Sequence, residues 1–142
     1  MSETPSDLAK QGKRNDEWVS NVVAPAAKRT QDNAGVWPVL GVGPFCAVVE
    51  VGAADYTAAI ATTMEEACTK LRSHGYEPFI AVDYVRSARY GNRAMRRGFA
   101  QIVDAAMREK VALVGGESSE HDDDADDAVI TCVTVLGRRG AG

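Results

Sequence analysis

The chain has 142 residues, 45% of them apolar and 25% charged, and carries a formal net charge of −4. That is the length of one domain, with an ordinary globular composition and enough apolar material for a core. A negative molecule is not an all-over nucleic-acid binder, and no run reaches the roughly 20 apolar residues that a membrane-spanning helix needs.

The first fifteen residues are polar and show no period, so a mobile arm is expected over 1–15 and a single α+β domain over 16–142. No apolar leader segment opens the chain, which places the protein in the cytoplasm as an expectation. Asp16 is a candidate cap for a short helix carrying Trp18, Val19, Val22 and Val23, and Pro25 should kink or end it. QDNAG (31–35) then reads as a loop. The prolines of VWPVLGVG (36–43) confine it to an edge strand or to none, whereas PFCAVVEVG (44–52) suits a strand. GAAD (52–55) reads as a turn, and YTAAIAT (56–62) as a returning strand, although its alanines suit a helix equally.

Thr62 and Thr63 stand three residues before Glu65 and Glu66, the spacing of a capping box. A helix follows to Ser73, burying Met64, Ala67, Cys68 and Leu71, and Gly75 closes it. In YEPFIAVDYV (76–85), Phe79, Ala81 and Asp83 alternate against Ile80, Val82 and Tyr84, which predicts a strand. A second helix runs from its cap Asn92 to Glu109, with Met95, Phe99, Ile102, Val103 and Ala106 on the buried stripe. VALVG (111–115) and DAVITCVTVLG (127–137) read as two strands joined by the acidic GESSEHDDDAD. The order predicts an α+β fold: a small mixed or antiparallel sheet with two main helices on one face, preceded by the arm and a short helix. A ferredoxin-like plan is the nearest analogy. Cys46, Cys68 and Cys132 are odd in number, far apart and set among apolar neighbours, so they read as small core residues rather than a disulfide framework.

One segment breaks a local rule. RSARYGNRAMRR contains Arg86, Arg89, Arg93, Arg96 and Arg97 and no acid. Three of these arginines fall in the first turns of a helix, where backbone amides already favour acids, and Arg93 and Arg97 are like charges four apart. Such a conflict suits an anion site at a helix start, with Tyr90 and Tyr84 beside it and Asn92 as the cap. The competing reading is neutralisation by the acidic loop that holds Glu117, Glu120, Asp122, Asp123, Asp124, Asp126 and Asp127, within one chain or between two copies.

LVGGESSE (113–120) invites a phosphate-loop reading but lacks the Lys and the following helix of that motif. Over these few residues it resembles a GGE-containing stretch of the aminoimidazole ribonucleotide synthetase family; no family is assigned from it, and a turn with a mobile acidic tip is expected. His121 and its aspartates lack the register of a calcium loop, and His74 and the cysteines lack a zinc pattern. Asp83 and Glu50 would form a carboxylate pair if their strands were neighbours.

The leading expectation is a non-enzymatic, self-associating interaction module that binds an anionic ligand or an acidic protein partner through Arg86, Arg89, Tyr90, Asn92, Arg93, Arg96 and Arg97. The alternative is a small enzyme acting on a phosphorylated or other anionic metabolite. Nucleic acid ranks below both, and no cofactor, metal or membrane partner is expected.

Overall fold

The computed structural model describes residues 4–34, 45–54 and 58–139, and side chains throughout except over 45–62. The segment 36–43 and the side chain of Cys46 lie outside the described residues. In chain order the elements are α1 (Pro5–Trp18), a π-helical turn (Val19–Val23), α2 (Ala24–Ala34), β1 (Phe45–Ala54), α3 (Ala58–Ser73), β2 (Tyr76–Ser87), α4 (Arg93–Glu109), β3 (Ala112–Glu120) and β4 (Val129–Arg139).

The four strands form one mixed sheet in the order β1-β4-β2-β3. β4 runs antiparallel to both of its neighbours, while β2 and β3 are parallel and joined through α4. Period-two alternation decides which strand residues meet the helices. Along β4, Val129, Thr131, Val133 and Val135 are buried, and the residues between them are half-buried. The buried set packs on Met64, Cys68 and Leu71 of α3 and on Met95, Phe99, Ile102 and Ala105 of α4. Each large aliphatic side chain buried in this way stabilises by roughly 1.5–3 kcal/mol. α4 approaches closely because residue 98 is glycine: a Cβ there would lie 3.0 Å from the nearer methyl of Val129.

The α+β architecture is as the sequence predicts, and Asn92 caps α4 through a bond from the Met95 amide at 2.8 Å. Burial pushes the Cys68 thiol up to about 12, in keeping with a core residue. Gly75 has φ +82, the left-handed conformation expected after α3.

Several boundaries differ, each for a local reason. The first helix starts at Pro5 rather than Asp16, because Thr4 and Asp7 form a reciprocal capping box and Pro5 sits at its first turn. Pro25 does not end the helix. The Ala24 amide reaches back five residues to Val19, and this wider turn carries the chain past the proline. Residues 31–34 of the expected loop are the last turn of α2. There Gln31 donates to the Leu113 carbonyl at 2.7 Å, and Thr30 accepts from the Leu113 amide at 2.9 Å. These two side chains occupy backbone groups of β3 that a further strand would use, so α2 blunts that sheet edge. The expected strand over 56–62 is helical from Ala58, which places Thr62 and Thr63 inside α3 rather than at its cap. Finally, the GGESSE stretch is not a turn: β3 continues through it to Glu120.

Candidate functional site

β2, α4 and β3 make a parallel βαβ unit. In such units the crevice outside the carboxyl ends of the strands is the favoured place for a ligand. Here a cavity of about 220 Å³ lies instead over the middle of β2 and β3, between their faces and the helices. Val19, Val23 and Ala27 from the N-terminal helices and Phe99 from α4 form its apolar walls, and Asp83 with the run Gly115–Ser118 forms the rest.

Asp83 enters from β2 between Ala81 and Val85, both buried against the helices, so strand alternation sends its side chain to the same side. Burial raises its pKa to about 7, and the lowering by its own backbone amide does not offset this. Gly116 stands opposite Asp83 in the β2–β3 register. A Cβ at Gly116 would collide with Asp83 Oδ1 and the Asp83 carbonyl oxygen, so the second glycine of the pair is what lets the carboxyl lie here.

Next to the cavity the N-terminal helix is tied to the end of β3. The Trp18 indole donates to Ser118 Oγ at 2.9 Å, and its ring meets Phe99 edge-on, 5.6 Å between centroids. Glu120 accepts from Arg14 at 2.5 Å and from the Tyr90 amide at 3.0 Å. Burial alone would raise the Glu120 carboxyl, but these bonds outweigh it and hold the pKa below the ordinary value. The Tyr90 phenol donates to the Ser118 carbonyl at 3.1 Å, and burial, with Glu120 next in weight, raises its pKa.

No arginine of the segment lines this cavity, and the segment is not a single cluster. Arg86 belongs to the other face of the sheet, where it makes a two-point pair with Asp124 of the acidic loop at 2.9 and 3.2 Å. Arg89 is exposed beyond the end of β2, and Arg93, Arg96 and Arg97 are exposed on the first two turns of α4. Arg96 donates from Nε to the Gly91 carbonyl at 2.7 Å and stands 6.0 Å from the Trp18 ring. Arg14, Trp18, Tyr90, Gly91 and Arg96 together line a second hollow of about 260 Å³. Asn92 is spent on capping: its Oδ1 takes the Met95 amide and lies 3.0 Å from Ser87 Oγ.

Glu50 and Asp83 do not form an adjacent pair. Both align with Val133, which puts β4 between their strands. Sequence reasoning missed Arg14, Trp18, Ser118 and the glycine pair as parts of the site. Two glycines in succession inside a strand pattern signal a close approach, and were available to be read that way.

No protein-family model matches the sequence, and no curated protein matches it. The fold, by contrast, is shared with solved structures. Hydrogenase maturation protein HypE in complex with ATP matches over 89% of this chain and 40% of its own, with a TM-score of 0.64 and 16% identity. A HypE–HypF complex matches over 90% and 43%, with a TM-score of 0.54 and 14% identity. Thiamine monophosphate kinase from Aquifex aeolicus matches over 82% and 42%, with a TM-score of 0.55 and 12% identity. The present chain therefore spans about two fifths of the length of these structures. At such identities the likeness is one of fold.

Proposed function

We propose that this domain is part of an enzyme acting on a phosphorylated or nucleotide substrate, bound at the Asp83 cavity over β2 and β3. The observation that carries the reading is Asp83: a carboxyl with a pKa of about 7 in an apolar cavity, beside a glycine that a side chain would exclude. A group titrating near neutrality can both accept and donate a proton. On this reading Asp83 handles the proton, while Arg96, which lines the second hollow, and the exposed Arg89 hold the anionic part of the substrate. The neighbours of like fold include HypE in complex with ATP and a protein named as a kinase, which favours an enzyme over a module that only binds.

ATP with Mg²⁺ is the first probe, titrated calorimetrically into the full chain. Binding that weakens about tenfold or more in Arg89→Ala with Arg96→Ala is expected, the scale for losing charge-assisted bonds. Equal affinity in the wild type and the double variant contradicts the assignment of these arginines.

A second reading, self-association, rests on a different observation. On the sheet face opposite α3 and α4, Val82 is 37% exposed, and Ile130, Cys132 and Thr134 are only half-buried among the described residues. A second copy would cover such a face isologously, residue against equivalent residue.

A further inference from the structure

The Val19–Val23 turn and α2 present two flanks to the rest of the domain. Val19, Val23 and Ala27 face the Asp83 cavity, while Asn21, Val22, Pro25, Ala26 and Arg29 face α4. This stretch and α4 run side by side in one direction, with Trp18 near Arg96 at one end and Asn33 bonded to the Met107 carbonyl at the other. Between them they leave a hollow of about 240 Å³, which shares Asn21 and Arg96 with the hollow of about 260 Å³ beside Trp18. Ligand pockets usually measure roughly 300–1,000 Å³. Each hollow alone falls short of that, and joined at Asn21 and Arg96 they make one groove of that size.

Val22, Pro25, Phe99, Ala100 and Val103 give the groove apolar sides, and Phe99 stands between it and the Asp83 cavity, lining both. Arg96 is fixed by the bond from its Nε to the Gly91 carbonyl at 2.7 Å, which leaves its two terminal nitrogens without a partner among the described residues. The hollow beside Trp18 also holds Glu17, and its Arg14 is already paired with Glu120, so Arg96 is the cation left for a ligand there. Arg29, at the far end, is likewise unpaired, but Asp104 lines the groove with it and opposes an anion at that end.

We propose that this groove is a second ligand site, for an organic anion with a carboxylate or phosphate head on Arg96 and an apolar body along Val22, Phe99, Ala100 and Val103. The two free donors of one guanidinium suit either head. The inference that the site is inhibitory rests on the proposed function: Arg96 is also assigned to the anionic part of the substrate, so the two ligands exclude each other.

The test titrates octanoate, phenyl phosphate and inorganic phosphate into the full chain, following the backbone amides of Val22, Ala100 and Val103. Saturable shifts are expected with both organic anions, at affinities about tenfold or more above that of inorganic phosphate, the scale for burying a few methylene groups. The tighter of the two tells a chain from a ring. Ala100→Phe fills the groove from an exposed position of α4 without touching a charge. It should weaken both organic anions by about tenfold and leave affinity for ATP with Mg²⁺ as in the wild type. Saturating octanoate should weaken ATP in the wild type. Inorganic phosphate as tight as the organic anions overturns the site, and so does wild-type affinity in Ala100→Phe or an absence of shifts at millimolar concentrations. Independent binding of octanoate and ATP overturns the exclusion through Arg96. Octanoate binding as expected without ATP binding in either protein upholds the groove and removes the nucleotide reading instead.

Discussion

Asp83 sets the clearest expectation at the scale of a single residue. Its folded pKa is about 7, against about 3.9 for an unperturbed aspartate. Between these values the folded state holds a proton that the unfolded chain has released, so stability falls as pH rises from about 4 to about 7 and levels off above. Each pKa unit is worth about 1.4 kcal/mol, so ionising Asp83 costs on the order of a few kcal/mol, less what its partial contact with water returns. Asp83→Asn should therefore raise the melting temperature clearly more at pH 8 than at pH 5. An equal shift at both pH values would contradict the burial of this carboxyl. Gly116→Ala tests the same place sterically. The new methyl has to displace Asp83 or the strand, and a loss of roughly 1–3 kcal/mol in urea unfolding is expected. Neither effect could be read from the sequence in full. Asp83 was recognisable as a carboxylate on a strand, but its cavity is completed by Val19 and Phe99, which are far from it in the chain.

At the scale of elements, the sequence was most informative where one period persists. The stripe of α4 sets residue spacing and burial together, and the predicted face is the buried one. In β2 the expected alternation is broken by the buried run Pro78–Ala81, where the register with β4 shifts, and Cys132, expected in the core, is half-buried on β4. The sequence was least informative where a local motif competed with composition. Thr4, Pro5 and Asp7 spell a capped helix start, yet the polar run after them masked it, because nothing but Trp18 in α1 is buried. The alanines of 58–61 needed a tertiary partner to decide between strand and helix. α2 provides the prediction at this scale. Thr30→Val removes the acceptor for the buried Leu113 amide and exposes the β3 edge, at a cost of about 1–3 kcal/mol. Hydrogen exchange should locate the loss at Leu113 and at the last turn of α2. A loss spread evenly over the sheet would mean that α2 does not guard the edge.

At the scale of the whole molecule, a net charge of −4 conceals a division of labour. Asp124 of the acidic loop pairs with Arg86 on the far face of the sheet, and Glu120 pairs with Arg14 of α1. That division was half legible: the segment and the acidic loop were both visible in the sequence, but their separation onto two faces depends on strand register. No described helix is long and apolar enough to cross a membrane. Self-association through the sheet face predicts a dimer mass by light scattering that is insensitive to salt, and Val82→Glu should shift it to monomer. Association through the arginines and the acidic loop would instead be lost at high salt. A phosphorylated or nucleotide ligand is proposed to bind at the Asp83 cavity over β2 and β3. That binding is tested most directly by following the backbone amide resonances of the full chain during titration with ATP and Mg²⁺. Saturable shifts are expected at Asp83, Gly115–Ser118 and Arg89–Arg97. Shifts confined to the opposite sheet face, around Val82 and Cys132, or no shifts at millimolar ATP, would contradict it.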